Sequence, residues 1–448
     1  MAKFNETQEL LVQLIKNKCV NDGTVTSGQE HKNSDLLESF IETPGIKVDT
    51  FESEPGRKSL VARIEGTNPE APSLCLMGHT DVVPVTPDGW KHDPFGGELI
   101  DGEIWGRGAI DMLNLTASMA VAFRQIAQSD TKPVGDLVYF AVADEEAGGT
   151  YGAKYAVENH WDLIAADCVL TEYGGIQSTN ETGSYVLVNA GEKGVDWRRL
   201  TIKGKPGHGS RPYGADNALI KAAEVVRRLS SYSPNPVLSE QWKRRIDSLE
   251  LPAELRNRLN SEAALNEALA DLPAGDGAFL HACSHTTFSP NVIHGGTKTN
   301  TICDHVELHV DIRCLPGETS QDVDSHLKMA LGNLYEDVVV EKFLATPDDI
   351  ELGSSSDVKG KLWDSLEMAV RKAEPEAQIV PGLITGGTDA RFYRKMGSQV
   401  LGAGLLNKSV DTSEFYSRFH GNNERIDLQS LDLATQLWLD IVDSFNQG

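Results

Sequence analysis

Ser73-Leu74-Cys75-Leu76-Met77-Gly78-His79-Thr80-Asp81 runs from an almost wholly apolar stretch into a histidine and a carboxylate. An apolar run without alternation predicts a strand buried on both faces, as in a parallel sheet covered by helices. Ligand sites in such sheets gather at the carboxyl ends of the strands, which is where His79 and Asp81 stand. A histidine there can ligate a metal, with a nearby carboxylate holding its second nitrogen. The same His-x-Asp pattern recurs at His160/Asp162 and His309/Asp311, so the pattern alone says little and its position carries the reading.

Working outward, helices are expected at 7–20 and 34–42, and a strand at Leu60–Ile64. Leu115, Met119, Ala122, Phe123 and Ile126 fall at helical spacing, so 114–128 is a helix packed on the sheet. Asp136–Ala143 and Val169–Thr171 read as strands, with a helix over 149–160 between them. This order predicts an α/β domain with a largely parallel sheet. The middle differs. Tyr185–Asn189 and Trp197–Lys203 are short strands and Ala215–Ser231 a long helix. Thr301–Arg313, Thr319–Leu334 and Val338–Leu344 then read strand, helix, strand. Ser233 to Asp276 is rich in Pro, Ser and charge, with only helical fragments. After about residue 347 the first style returns, with a helix near 357–373, a Gly-rich stretch at 382–387, a strand around 399–406 and a closing helix at 428–445. The expected division is therefore 1–191 with 347–448 as one domain and 192–346 as an inserted α+β domain, with an extra segment at about 233–290.

The chain has 448 residues, 41 of them Lys or Arg against 66 Asp or Glu, for a net charge of −25. That balance argues against nucleic acid and against anionic lipid, both of which need a basic footprint. No apolar run approaches the roughly 18 residues of a membrane span, and the polar N-terminus does not resemble a signal peptide. The six cysteines include no CxxC pair, and Cys75 and Cys168 lie in apolar runs. Buried reduced thiols of this kind predict a cytoplasmic protein. There is no GxxxxGK[ST] phosphate loop, and Gly106-Arg107-Gly108 lacks the third glycine of a dinucleotide fingerprint.

Further acidic and imidazole groups stand at corresponding places. Asp111 ends a Gly-rich turn before the helix 114–128, where it could equally be a helix N-cap. Asp144-Glu145-Glu146 follows the strand 136–143; where strand alternation ends, adjacent carboxylates can turn to one cavity, the alternative being a solvated acidic loop. Glu172 ends another apolar strand. His420 precedes the last helix in Phe419-His420-Gly421-Asn422-Asn423-Glu424, where it could be a surface loop histidine.

Five motifs in order carry a resemblance that covers nearly the whole chain. They are Met77-Gly78-His79-Thr80-Asp81-Val82-Val83-Pro84, Gly106-Arg107-Gly108-Ala109-Ile110-Asp111, Asp144-Glu145-Glu146, Gly204-Lys205-Pro206-Gly207-His208-Gly209-Ser210-Arg211-Pro212 and Gly386-Gly387-Thr388-Asp389-Ala390-Arg391. Together they resemble the co-catalytic dizinc hydrolases of the aminoacylase, acetylornithine deacetylase, succinyl-diaminopimelate desuccinylase and glutamate carboxypeptidase family. The resemblance implies a zinc-exopeptidase-like catalytic domain with a ferredoxin-like lid and dimerisation domain inserted in it. It implies two divalent metal ions, zinc in the first place and cobalt or manganese as feasible substitutes. One ion would take Glu146 and His420, the other His79 and Glu172, with Asp111 bridging and Asp81 orienting His79. Glu145 would be the general base. His208 would reach the active site of the partner in a homodimer and steady the oxyanion; a turn histidine is its alternative. Asn300 and Arg313 would hold a substrate carboxylate, Arg through its planar fork, with a structural salt bridge as the alternative for Arg313. The Gly386-Gly387-Thr388 turn would add backbone donors, with a helix N-cap as its alternative.

The implied activity is hydrolysis of the amide of a small N-acyl amino acid or dipeptide with a free carboxylate. Rivals are a carbamoyl-amino-acid hydrolase and a non-catalytic, metal-stabilised binding protein. The chain departs from the family pattern at Asn300-Thr301-Ile302-Cys303, where Asn-Val-Ile-Pro is common, and at Leu113-Asn114, where Lys-Gly is common. The segment 233–290 has no clear counterpart in compact members. All three departures bear on the substrate pocket.

Overall fold

The computed structural model describes residues 5–343 and 353–447. Its centre is a ten-stranded sheet. Leu137–Val142, Leu74–His79, Cys168–Thr171 and Gln399–Gly402 lie side by side and parallel. Every residue of Leu74–His79 and Leu137–Val142 is buried, which explains the unbroken apolar runs: helices cover both faces. Towards the edges the pairing turns antiparallel, through Lys58–Ile64 and Lys47–Glu52 on one side and Gly183–Glu192 on the other. Ala377–Ile384 adds a parallel partner to Gly183–Glu192. The expected α/β class with a mixed, largely parallel sheet is the observed one.

The helix Leu113–Gln128 is buried along its first eleven residues, Leu113 to Phe123. The last helix, Leu428–Gln447, lies on it, and the fully buried Trp438 donates from Nε1 to Ser118 Oγ at 2.9 Å. On the opposite face Ile164, Tyr393 and Ala156 join the side chains of Val138, Phe140 and Val169 in a second core.

At Lys193 the chain leaves this sheet for a smaller, five-stranded antiparallel one. His305–Cys314 is its spine, flanked by Arg198–Lys203 and Thr287–Gly295. Val306, Leu308, Val310 and Ile312 alternate inward, and the helices Ala218–Ser231 and Ser320–Leu331 cover that face. The intervening residues, Glu307, His309, Asp311 and Arg313, stay partly exposed. This is the expected α+β arrangement. A separate ribbon pairs Gly207–His208 with Thr301–Ile302. Four short helices, Glu240–Asp247, Ala253–Leu259, Leu265–Ala270 and Ala274–Ser284, enclose a core of their own around Trp242, Ile246, Leu259 and Leu280. No helix among the described residues is long and apolar enough to cross a membrane.

Three expectations are adjusted. The predicted strand Thr301–Arg313 is two strands, broken at Cys303-Asp304. Strands Thr287–Gly295 and Ala377–Ile384 were not foreseen, the first because its exposed edge shows no inward alternation. The predicted helix over 149–160 is a wide turn, Thr150–Lys154, kinked at Gly152 ahead of the helix Tyr155–Asn159. The expected boundary at 346/347 and the end of the strand at Leu344 lie outside the described residues.

The kink has a steric cause. A Cβ at Gly152 would lie 1.6 Å from the carbonyl oxygen of Ala143, so the chain can pass under the acidic triplet only as glycine. Gly152→Ala is therefore expected to displace Asp144 to Glu146 and to lower unfolding free energy by about 3 kcal/mol, the upper end of ordinary overpacking. Urea denaturation together with a metal titration checks both effects.

Candidate metal centre

Because four strands run parallel, their carboxyl ends deliver side chains to one rim. His79 is the last residue of its strand, Glu172 follows Thr171, and Asp144 to Glu146 follow Val142 by two residues. Asp111 comes from the turn that opens the buried helix. Met112 occupies that helix's N-cap position without a side-chain cap bond, so the N-cap reading of Asp111 does not hold. Its carboxylate lies between two imidazoles instead. Oδ1 is 3.3 Å from His79 Nε2 and Oδ2 is 3.2 Å from His420 Nε2. His420 Nε2 is also 3.1 Å from Glu146 Oε2, and His79 Nε2 is 3.8 Å from Glu172 Oε2. Donor atoms of His79, Asp111 and Glu146 lie within 4.8 Å of one another, as do those of His79, Glu145 and Glu172. Glu146 Oε1 and Asp111 Oδ2 are buried without an aligned hydrogen bond. Imidazole nitrogens and orphaned carboxylate oxygens at this spacing fit two divalent cations sharing Asp111.

The surrounding groups fix this geometry. His79 Nδ1 faces the backbone carbonyl of Asp81 at 3.0 Å; it donates its proton there, which leaves the Nε2 lone pair for the cluster. The Asp81 carboxylate stands farther from His79, at 3.6 Å. It accepts instead from the backbone N–H of Glu146 at 3.1 Å, that of Glu145 at 3.3 Å and Asn21 Nδ2 at 2.9 Å. Orientation of His79 thus comes first from the Asp81 backbone, while the Asp81 side chain clamps the acidic loop. Below it, Asn21 also donates to Asp144, and the buried guanidinium of Arg57 joins Asn21, Asp144 and Glu30. Glu424 accepts from the N–H groups of Ile110 and Asp111 and pairs with Arg107 at 2.7 Å. Arg107 in turn reaches the carbonyl of His420 at 3.3 Å. Sequence reading assigned no role to Asn21, Glu30, Arg57, Arg107 or Glu424. Two of them carried a signal, Glu424 as the end of the His420 motif and Arg107 within Gly106-Arg107-Gly108-Ala109-Ile110-Asp111. Asp144, Tyr173 and His420 all hold left-handed backbone, at φ 69°, 68° and 54°, conformations that non-glycine residues adopt only where neighbours enforce them.

The other expected site residues lie elsewhere. His208 is exposed on the ribbon, its Nδ1 facing Ser210 Oγ at 2.8 Å. Asn300 lies beside it, its carbonyl accepting from Gly209. Arg313 forms a salt bridge with Asp311 at 2.8 Å, the alternative held open for it. The N–H and hydroxyl of Thr388 both donate to Glu192, so its donors are committed within the protein. The two repeated His-x-Asp pairs are structural: His160 stacks on Phe51, and His309 bonds Glu307.

Paired imidazoles on a shared carboxylate at the rim of a parallel sheet are the donor set of a metal-dependent hydrolase. Comparison with known proteins makes that class specific. Residues 75–444 match the sequence profile of peptidase family M20/M25/M40, and the chain belongs to that family. It is an enzyme of the metallopeptidase and amidohydrolase kind. The N-fatty-acyl-amino acid synthase/hydrolase PM20D1 of Xenopus tropicalis is 24% identical, over 99% of this chain and 90% of its own length. Aminoacylase-1 of Sus scrofa is 27% identical, over 90% and 88%. The M20 family metallo-carboxypeptidase Sso-CP2 of Sulfolobus solfataricus has the same fold, with a TM-score of 0.72 at 17% identity, covering 99% of this chain and 100% of that one.

Burial pushes the Glu172 carboxyl up to about 8. Burial opposes a charge on His79, but hydrogen bonds to Asp111 and Glu172 outweigh it and hold the imidazole well above its usual value. Both groups bind protons more tightly folded than unfolded. Between about pH 4.5 and 8 the folded, metal-free protein therefore carries the extra protons, and its stability falls as pH rises. Chelator-treated protein is expected to melt at a lower temperature at the top of this window than at the bottom. Added zinc ions are expected to stabilise most at the top, where protons compete least. Thermal melts across the window with and without zinc measure both trends.

Proposed function

We propose that this chain hydrolyses the amide bond of a small N-acyl amino acid or dipeptide that carries a free carboxylate. The observation that carries the reading is Asp111 set between His79 and His420, with Glu145 beside His79 and Glu172. Glu146 and His420 would hold one divalent ion and His79 and Glu172 the other, with Asp111 common to both. Zinc suits these nitrogen and oxygen donors best, and cobalt or manganese are workable substitutes. Bound there, such ions polarise a carbonyl and acidify a water. Glu145 takes the proton of the attacking water as the carbon–oxygen bond forms. It returns that proton to the nitrogen as the carbon–nitrogen bond breaks, releasing a carboxylic acid and an amine. Burial and the neighbouring Glu172 push Glu145 well above the usual carboxyl range, which suits it to receive a proton.

Arg313 exchanges Asp311 for the substrate carboxylate, assisted by Asn300 and the Gly387 peptide, while Thr388 anchors that turn to Glu192. His208, exposed on the ribbon, acts in the partner's site of a homodimer. The inserted region acts as lid and dimerisation domain. Six cysteines without disulfides suit the cytoplasm.

Glu145→Gln is expected to bind zinc as the parent does and to lose roughly 10²–10⁴-fold in kcat on N-acyl amino acids or dipeptides. Parent-like turnover in this variant removes the assignment. His208→Ala is expected to be nearly inactive alone, yet to regain activity when mixed and refolded with Glu145→Gln, because a mixed dimer holds one intact composite site. No recovery on mixing would place His208 outside a shared site.

A further inference from the structure

Tyr173 directly follows Glu172 and lines, with Glu172 and Ile110, a cavity of about 860 Å³ beside the metal cluster. Its ring stacks on Phe419, with centroids 5.4 Å apart and planes 20° from parallel. Phe419 directly precedes His420. Glu172 stands on the His79 side of Asp111 and His420 on the other, so the ring bridges the loops that carry the two halves of the cluster. The stack offsets the cost of left-handed backbone at Tyr173, φ 68°, which glycine would adopt freely.

The stack needs only a ring, and a phenylalanine would make it as well. The hydroxyl is what the packing does not account for. It bonds none of the described residues, and unlike Asp111 Oδ2 and Glu146 Oε1 it is not sealed from solvent. Other donors near the cluster are committed within the protein. Asn21 serves Asp81 and Asp144, Arg107 serves Glu424, Arg313 serves Asp311, and both donors of Thr388 serve Glu192. Burial, and then the charges of Asp111, Glu172, Glu145 and Glu146, hold the phenol well above its usual range. A neutral O–H thus stands within the field of these four carboxyl groups and donates to none of them.

As water adds to an amide carbon, the carbon–oxygen double bond opens and its oxygen gains negative charge. A phenol can donate to that oxygen and keep its own proton, which it loses only near about pH 10 in water. The hydrogen bond is stronger to the charged oxygen than to the neutral carbonyl, so it favours the transition state over the bound substrate.

We infer that Tyr173 is a catalytic residue whose hydroxyl donates to the oxyanion formed at the scissile carbonyl. This donor comes from the chain that carries the candidate metal ligands, in addition to His208 of the partner subunit. Glu145 alone moves a proton. The assignment rests on the hydrolase reading above, and the test separates the two.

The zinc-loaded full chain and its Tyr173→Phe variant, which keeps the ring, are offered N-acetyl-leucine and alanyl-leucine. Calorimetry measures binding of zinc, and of the phosphinate isostere of alanyl-leucine, whose tetrahedral oxygens mimic the oxyanion. Tyr173→Phe is expected to lose about 10²-fold in kcat, with KM held within about threefold. Its affinity for the phosphinate is expected to fall by about the same factor, with zinc affinity and melting temperature as in the parent. Phe419→Leu, which unties the two loops and keeps the hydroxyl, is expected to weaken zinc binding instead, so lost packing reads differently from a lost donor.

Parent-like kcat or parent-like phosphinate affinity in Tyr173→Phe overturns the assignment and leaves the hydrolase standing. A loss of zinc affinity that matches the loss of turnover also overturns it, because the hydroxyl then serves the ions. Phosphinate binding that Tyr173→Phe weakens supports the donor even if the parent cleaves neither probe, in which case the hydrolase reading is what falls. A parent that neither cleaves nor binds the phosphinate overturns both.

Discussion

Asp81, Asp111, Asp144, Glu145, Glu146 and Glu172 bring six carboxyl groups to one rim, and little solvent reaches them. Carboxylates crowded in a low-dielectric interior repel one another and draw protons, unless cations or donors hold them apart. Burial raises Glu145, Glu146 and Glu172 alike. The groups facing inward meet protein cations and donors: Arg57 and Asn21 serve Asp144, and backbone N–H groups serve Asp81. Those facing the imidazoles keep orphaned oxygens. This division of one acidic patch into a neutralised floor and an unneutralised rim is what makes the rim a place for added positive charge.

Backbone geometry enforces the same division. Asp144, Tyr173 and His420 hold left-handed conformations on three separate loops, and each loop is tied at a second point. Asp144 is gripped by Asn21, Tyr173 stacks on Phe419 with ring centroids 5.4 Å apart, and His420 is reached by Arg107. The ring stack joins the Glu172 loop directly to the His420 loop. A cluster of donors built this way has its spacing held by the protein itself.

Four of the ligand candidates were legible because each stands where an apolar run meets a turn: His79, Glu146 and Glu172 after buried strands, Asp111 before a buried helix; His420, in a loop, was legible only through its motif. The supporting groups were not. Arg57 meets Glu30 across 27 positions and Asn21 meets Asp144 across 123, and no local periodicity encodes such a pairing. The Arg313–Asp311 bridge follows strand alternation, since residues two apart share a face. The helix expected over 149–160 is present but kinked, for a steric reason: spacing counts apolar residues and does not see that Gly152 must pass under a carbonyl. The large cavity was unreadable for a related reason. Its walls come from many segments between Ile110 and Ala434 that meet only when folded.

The last helix sits on Leu113–Gln128 through Trp438 and Ser118, and His420 and Glu424 directly precede it. During synthesis the strands carrying His79, Glu146 and Glu172 leave the ribosome more than two hundred residues before His420 does. The emerging chain thus carries an incomplete and strongly acidic rim through most of translation. His420 and the docking helix that follows it are joined to the rest of the rim through long-range contacts such as Trp438 to Ser118. His420 is the last of the candidate donors to be synthesised, so the full donor set exists only once the chain has been made through residue 420.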